Sequence, residues 1–599
     1  MPNLLAMSFE GHLAPSFNLR MLQPGQKPPD GWGMGFYPGG EPSASVIKEP
    51  APPSGSIRGE LIKAWESLAS SIFIVHIRAA IWGPPSHANT QPFLCTWGGR
   101  DWLFAHSGSL AQRLELRPNK RFQPVGSTDT ELIFFELMSL IADRNWRSLG
   151  EIDPQFLCTW FHTINPHGSL SSVISDGRDL VAYADREGDG CLHLGQILPP
   201  YDNPVFSDED LEVDLARRGI KSRKGLLISS TPLASPEGLV TWRQLPPGHL
   251  LVVRQGAIIA EVAPPRAASD PPSAPMASAP LPALGTPQLP SDSLAPLVAR
   301  PKLKRPMRAE KRRVQVNHRT VYRYEKPVER STHLLRLVPV HDHLQSLIAH
   351  EMRLSVDGQR RDFIDVFGNR ARRVLIDTPY SELAIEASST VELLDTDPLN
   401  FRPLHARARI PLVWMPWQGQ VLQPFLLPPE LPETELDELA EYAMSFVERN
   451  DYDLLDTLLD LNTSIFQEYE YKQGATTIYT TPYEVYSNRR GVCQDFTNLF
   501  ICLARLLGVP ARYVCGYIYT GPKNPNQRQS EASHAWLQVY LPEVGWKGFD
   551  PTNGILTQTD HVRVAIGRRA IDATPTSGTL FVGGGGETLT VDVRVEVIE

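Results

Sequence analysis

The chain has 599 residues, of which 42% are hydrophobic and 21% are charged. This composition is ordinary for a globular protein and is sufficient for several hydrophobic cores. The net charge of −9 argues against a general nucleic-acid-binding protein. The first residues show no basic segment ahead of a long apolar run, and no stretch reaches the roughly eighteen apolar residues of a membrane span. We therefore expect a cytoplasmic protein without membrane contact, whose oligomeric state the sequence does not indicate.

Six cysteines occur in the chain, and none forms a C-x-x-C pair. This spacing argues against a zinc site and against a disulfide framework, and we expect neither a metal nor a cofactor. A low cysteine count also fits a reducing compartment. The cysteines are Cys95, Cys158, Cys191, Cys493, Cys502 and Cys515.

The first 262 residues predict a strand-rich mixed domain. The segments "SIFIVHIRAAIW" and "DWLFAHSGSL" are typical of buried strands that end in loops. The segment "TDTELIFFELMSLIADR" predicts a helix capped by Thr128 or Asp129.

Residues 263–313 are rich in Pro, Ala and Ser, and they lack sustained periodicity. Such a segment buries too little apolar surface to offset its ordering entropy, so we predict a linker. Its densely basic end, "RPKLKRPMRAEKRR", is typical of a solvated tether, and contact with an anionic partner stays an alternative.

After the linker, alternating segments predict a β-rich module over residues 314–405. Residues 406–599 begin with helical patterns, including "PETELDELAEYAMSFVERN". A helix led by Cys493 follows, and then come strands that include "HAWLQVYL" and "GWKGFDP". The tail is a Gly-rich loop followed by a strand.

Cys493 stands at the predicted start of a helix, in "RRGVCQDFTNLF". The free N–H groups and the dipole of a helix N-terminus favour a thiolate there. Gly491 allows a tight entry turn. A small buried cysteine is the simpler alternative, and it is our interpretation of Cys502 and Cys515, which lie in apolar runs.

A base and an orienting carboxylate occur in "SEASHAWLQVYLPEVGWKGFDPTNG". His534 opens one strand and Asp550 closes the next, and neighbouring antiparallel strands can bring such positions side by side. Taken singly, a histidine that opens a strand is usually a surface residue, and an aspartate before proline usually forms a turn. Together the three residues point to a Cys–His–Asp catalytic triad.

These segments resemble the transglutaminase-like superfamily, which has a papain-like fold. The likeness is close over about 475–555, and looser back to residue 314 and forward through "HVRVAIGRRAID". It implies that Cys493 is the nucleophile, His534 the base and Asp550 the orienting carboxylate.

The implied reaction is acyl transfer from a peptide or protein substrate through a thioester. The backbone N–H of Cys493 is one candidate oxyanion donor. The sequence does not decide between an amine and water as the acceptor, so both transamidation and proteolysis stay open.

The first domain resembles the class II glutamine amidotransferases through "GWGMGFY", "VHIRAAIWGPPSHANTQPF", "FAHSGSL" and "GSTDTE". That family has an N-terminal-nucleophile fold, an αββα sandwich. Its members begin Met-Cys, whereas this chain begins Met1-Pro2, and Ser107 replaces an oxyanion asparagine beside Gly108. Loss of a nucleophile alone typically costs about a million-fold in turnover, so we expect no glutaminase activity and nearly exclude a working amidotransferase.

The binding residues of that family are better kept. By the resemblance, Arg78 would clamp a substrate carboxylate and Asp129 would hold its ammonium group. The domain would then bind glutamine, glutamate or a γ-glutamyl end without cleaving it, and a remnant fold without a ligand is the alternative. The sequence thus predicts an α+β multidomain enzyme with an inactive amidotransferase domain, and the competing hypothesis is a non-enzymatic scaffold or sensor.

Overall fold

The computed structural model gives the architecture of most of the chain. The described residues are 3–19, 29–40, 42–53, 56–65, 68–78, 83–110, 121–188, 190–201, 204–207, 211–215, 222–236, 239–265, 311–394, 408–477, 479–519, 521 and 533–598. Residues 266–310, most of the predicted linker, lie outside them, and so do Met1 and Pro2.

The chain divides into two compact units, Met1–Lys302 and Leu303–Glu599. The described helices of the first unit are α1 (Ile57–Ala64), α2 (Asp129–Asp143) and α3 (Pro154–Ile164). Its described strands are β1 (Asn3–Leu13), β2 (Ser16–Leu19), β3 (Gly31–Phe36), β4 (Ser45–Glu49), β5 (Ser70–Arg78), β6 (Phe93–Trp97), β7 (Arg100–Leu110), β8 (Gly168–Ser175), β9 (Asp179–Tyr183), β10 (His193–Ile197), β11 (Val205–Ser207), β12 (Leu211–Asp214), β13 (Gly225–Ser229), β14 (Val240–Gln244), β15 (Leu250–Arg254) and β16 (Ala257–Val262).

Two stacked sheets form the centre of the first unit, in the strand orders β14-β10-β13-β1-β5-β3-β4 and β16-β15-β9-β8-β7-β6. Side chains alternate along β1: Leu4 and Ala6 join the core between the sheets, while Leu5 packs on the outer side. Helices α2 and α3 cover the second sheet. Helix α1 and a small sheet of β11, β12 and β2 cover the first. The predicted sandwich is confirmed, with this small sheet as an addition to one outer layer.

The second unit holds the remaining described elements. Its helices are α4 (Pro416–Leu422), α5 (Glu433–Arg449), α6 (Leu454–Glu468), α7 (Pro482–Asn488) and α8 (Cys493–Leu506). Its strands are β17 (Arg312–Leu335), β18 (Gln345–Leu354), β19 (Gln359–Ile364), β20 (Arg370–Ile376), β21 (Tyr380–Leu393), β22 (Glu470–Tyr471), β23 (Arg490–Gly491), β24 (Ala511–Ile518), β25 (His534–Leu541), β26 (Gly545–Asp550), β27 (Ile555–Leu556), β28 (His561–Gly567), β29 (Thr576–Gly583) and β30 (Glu587–Val597).

Strand β17 is the axis of the β-rich sheet. Its first half pairs with β21 and β30, and its second half pairs with β20 and β29. The pairing with β21 shifts register between Arg323 and Val328, where the long strand passes from one half to the other. The two tail strands therefore complete the sheet of the predicted 314–405 module.

Helix α8 lies at the centre of the remaining layer. Its apolar face, including Leu499 and Leu503, packs against Leu537 and Val539 of β25 within one large core. Helices α5, α6 and α7 surround it, and the sheet beneath has the order β27-β26-β25-β24-β28. Within the described parts of the chain, we find no helix with both the length and the apolar character for crossing a bilayer.

Candidate functional site

The N-terminus of α8 is built to hold Cys493 in place. Val492 is extended and Cys493 is the first helical residue. The Asp495 carboxylate accepts the Val492 N–H at 2.8 Å and the Thr476 hydroxyl at 2.6 Å. A Cβ at residue 491 would lie 2.8 Å from the Asp495 Cβ, so only glycine allows this approach. Cys493 is partly exposed, as a reacting sulfur requires.

Arg489 anchors the turn ahead of Cys493. Its backbone is left-handed, with φ of 51°, and its side chain is buried. The guanidinium donates to the hydroxyls of Tyr442 and Tyr469, each at 2.9 Å, and lies over the rings of Tyr442, Tyr469 and Tyr486. Glu468 supplies an opposite charge at 3.6 Å. This buried cation fixes the loop between α7 and α8.

The sheet brings His534 and Asp550 to one end of two neighbouring strands. Strands β25 and β26 are antiparallel, so the first residue of one lies near the last residue of the other. The His534 Nε2 lies 2.8 Å from the Asp550 Oδ2, and both side chains are fully buried. The structure thus joins two of the predicted site residues by a direct hydrogen bond.

Cys493 interacts with the same histidine. Burial alone would lower the pKa of His534, but the Asp550 carboxylate and then the nearby Cys493 raise it to about 10. The other ring nitrogen, Nδ1, is buried and has no conventional hydrogen-bond partner among the described residues. Cys493, His534 and Asp550 are therefore neighbours in the fold.

The Asp550 carboxylate is held by a turn that follows it. Its Oδ1 accepts the backbone N–H groups of Thr552 at 3.0 Å and Asn553 at 3.3 Å. Its Oδ2 accepts the Asn553 side-chain amide at 2.7 Å. Burial alone would raise the pKa of Asp550, but the charges and hydrogen bonds of His534 and His561 hold it far below its usual range.

His561 is a site residue that our sequence analysis missed. Its Nε2 lies 3.1 Å from the Asp550 Oδ2, and its Nδ1 lies 2.8 Å from the Asp560 Oδ1. Burial alone would lower the pKa of His561, but Asp560 and Asp550 raise it to about 9. A signal was present, because His561 opens a strand just as His534 does.

Ligand atoms of His534, Asp550 and His561 lie within 4.8 Å of one another, a grouping that metals can use. However, both nitrogens of His561 already face carboxylate oxygens. A carboxylate only accepts, so His561 must donate from both nitrogens and then has no lone pair for a metal. The hydrogen bonds favour a proton network here over a metal centre.

A cleft of about 490 Å³ is lined on one side by residues of α8 from Gln494 to Arg505. The Arg505 guanidinium donates to the backbone carbonyls of Leu427, Ala511 and Arg568. The exposed side chains of Tyr479 and Ile571 line the cleft.

In the first unit, the predicted binding residues are engaged within the domain. Arg78, at the end of β5, lies 3.3 Å from the Asp30 carboxylate and donates to the Gly83 carbonyl at 3.0 Å. The Asp129 carboxylate accepts backbone N–H groups of Leu110 and Thr130, each at 2.9 Å. These contacts stabilise the ends of secondary-structure elements.

Gly108 and Ser107 lie in β7 beside β8. Gly108 has φ of 144°, and a Cβ there would lie 2.3 Å from the Ser169 carbonyl oxygen. Glycine is therefore required for the close pairing of these strands. Ser107 is buried opposite Ser171.

Three family models match the chain. The class II glutamine amidotransferase model matches residues 1–277, the bacterial transglutaminase-like N-terminal region matches 314–392, and the transglutaminase-like superfamily matches 440–551.

Individual proteins are also similar. An uncharacterized protein of Methanocaldococcus jannaschii is 33% identical over 233 residues, or 39% of this chain and 62% of that protein, so the chain spans about three-fifths of it. An uncharacterized protein of Mycobacterium bovis is 32% identical over 304 residues, or 48% of this chain and 92% of that protein. The solved structure of a candidate cysteine protease from Cytophaga hutchinsonii is 20% identical, covers 49% of this chain and 92% of that one, and gives a TM-score of 0.40.

Proposed function

Because the chain belongs to the transglutaminase-like superfamily and also carries a class II glutamine amidotransferase domain, we propose that its second unit catalyses cysteine-dependent acyl transfer. Cys493 would be the nucleophile, His534 the base and Asp550 the carboxylate that orients the base. The observation that carries this proposal is the buried hydrogen bond between His534 and Asp550, next to Cys493 at a helix start.

The expected reaction has two steps. The sulfur of Cys493, its proton passed to His534, adds to the carbonyl carbon of a glutamine carboxamide or a peptide bond. The C–N bond breaks, and the leaving amine takes the proton from His534. Water or a second amine then adds to the thioester and gives a proton to His534, and the C–S bond breaks to release the product. The backbone N–H of Cys493 would be one donor to the oxyanion.

The test is to incubate the full-length protein with glutamine-containing peptides and a tagged amine, followed by mass spectrometry. Amine incorporation identifies a transamidase, and new peptide ends identify a protease. Both products should vanish in Cys493→Ala and persist in Cys191→Ala, a matched control because Cys191 is also partly exposed but lies in the first unit. Products that survive Cys493→Ala would overturn the proposal.

The first unit, in this proposal, has lost glutamine hydrolysis. The support is the proline at position 2, where the family has its cysteine, and Ser107 at an oxyanion position. Purified Cys493→Ala protein, whose second unit cannot form the thioester, should release no ammonia from glutamine above the buffer rate, and measurable release would contradict this inference.

Retained binding of glutamine or glutamate is a weaker proposal, because Arg78 and Asp129 already make internal contacts. Calorimetry with both amino acids tests it. Binding that Arg78→Ala removes would support a substrate-recruiting or sensory role for the first unit, whereas absence of binding would leave that unit without a ligand role.

A further inference from the structure

His561 occupies a position that the proposed triad does not explain. Its ring is buried between two carboxylates, with Nε2 at 3.1 Å from Asp550 and Nδ1 at 2.8 Å from Asp560. Each nitrogen must donate to its carboxylate, and only the doubly protonated ring has two N–H groups. His561 is therefore an imidazolium held inside the protein.

We propose that His561 is a positioning residue, which as an imidazolium clamped by Asp560 fixes the Asp550 carboxylate that orients His534. This inference rests on the proposed function of the triad. It assigns to His561 no contact with substrate and no proton transfer in the reaction.

The geometry supports an action through Asp550. The Oδ2 of Asp550 accepts hydrogen bonds from both His534 and His561. The carboxylate therefore cannot turn without breaking one of these two hydrogen bonds. The rings of Trp536 and His561 pack edge to face with centroids 5.1 Å apart, which limits movement of the imidazole. Asp560, in contrast, is partly exposed and reaches the ring from the loop side.

The charge of His561 also bears on His534. The ring centroids of the two histidines are 6.2 Å apart, so an imidazolium at 561 opposes a second imidazolium at 534. Other charged groups near this pair include Asp550 from β26, Asp560 just before β28, and Arg312 of β17 near Asp560. Arg563 of β28 lines the same small cavity as His561 and is paired with Asp342. Cys493 of α8 adjoins His534, and Cys515 of β24 adjoins Cys493. Removing the charge at 561 should therefore let His534 keep its proton to higher pH.

The experiment follows alkylation of Cys493 by iodoacetamide in the full-length protein between pH 5 and about 11.5, read by mass spectrometry, because the pKa of His534 is raised to about 10. The step in the pH profile that belongs to His534 is identified as the one that His534→Gln removes. In His561→Gln this step should move up by about one pH unit, because a neighbouring positive charge is lost. In the double variant Asp560→Asn/His561→Gln it should move up by less, because a negative charge is lost as well.

The matched control is His343→Gln, at an exposed histidine of the same unit, which should leave the profile unchanged. A purely structural role for His561 would lower the melting temperature and leave the step in place, and that result would overturn the inference. If His561→Gln alone does not fold, the double variant decides in the same way, because it leaves no unpaired carboxylate at position 560. A wild-type profile without any dependence on His534 would instead refute the proposed function.

Discussion

The Nε2 of His534 and the Oδ2 of Asp550 lie 2.8 Å apart, and both side chains are fully buried. This hydrogen bond places an imidazole proton on Nε2, and in the proposed mechanism Nδ1 is the atom that accepts the proton of Cys493. The orientation of the ring is therefore set before a substrate arrives.

Asp550→Asn should lower turnover by about 10³–10⁴-fold, because an amide no longer fixes the tautomer of His534 or stabilises its charged form. The measurement is the rate of amine incorporation or cleavage with the substrate found in the peptide screen. Asp592→Asn is the matched control, since Asp592 is half exposed on β30 and should retain full activity. A variant at position 550 that keeps more than a tenth of the wild-type rate would contradict the assigned role.

The stability of the second unit should fall as the pH rises from about 6.5 to 10. The folded-state pKa values of His534 and His561, about 10 and about 9, exceed the ~6.5 of an unfolded histidine, so the folded state binds extra protons in this range. The pKa of Asp550 is shifted the opposite way, so its contribution is lost only in acid. Urea unfolding of the full chain should show a loss on the order of a few kcal/mol. The loss should be smaller in Asp550→Asn, and equal slopes in both proteins would argue against the buried network.

Substitution of the two consecutive arginines before Cys493, Arg489 and Arg490, should have very different effects on stability. Arg489→Ala removes a buried cation from three tyrosine rings and from Glu468, and we expect about 3–5 kcal/mol of destabilisation. Arg490→Ala should change stability by less than about 0.5 kcal/mol, because that side chain is exposed. Thermal and urea unfolding of both variants provides the test. Similar midpoints for the two would show that the aromatic enclosure contributes little.

Gly516 pairs with His534 across β24 and β25, and a Cβ there would lie 2.0 Å from the Val562 carbonyl oxygen and 2.6 Å from the Trp536 ring. Gly516→Ala should therefore destabilise the sheet by about 1–3 kcal/mol and displace His534. Gly419→Ala is the control, since a Cβ in that exposed helix meets nothing within 4 Å. Activity and the midpoint of unfolding should both fall in Gly516→Ala, and both should stay at the wild-type values in Gly419→Ala. Full activity in Gly516→Ala would disprove the steric argument.

Local signals in the sequence were enough for several elements around the site. Apolar spacing ending near Gly508 predicted α8, and alternation predicted β25 and β26 with His534 and Asp550 at their ends. These features depend on residues close in the chain, so they can be inferred from propensity and periodicity.

Features that depend on distant pairing could not be inferred in this way. The approach of His561 to Asp550 requires β28 to pair with β24 through a register shift between Cys515 and Gly516, which no local pattern encodes. The pairing of both tail strands with β17 is likewise long-range. For Arg78 the resemblance implied a ligand clamp, and the structure adds a contact with Asp30 that the sequence did not indicate.

The pairing of β17 with β29 and β30 also determines when the β-rich sheet can be completed during synthesis. Strand β17 is synthesised first, whereas its partners β29 and β30 are synthesised only after the whole helical layer. Throughout that interval one edge of a 24-residue strand stays open, and open edges invite pairing with other chains. Synthesis of the second unit is therefore a stage at which this protein is exposed to pairing with other chains.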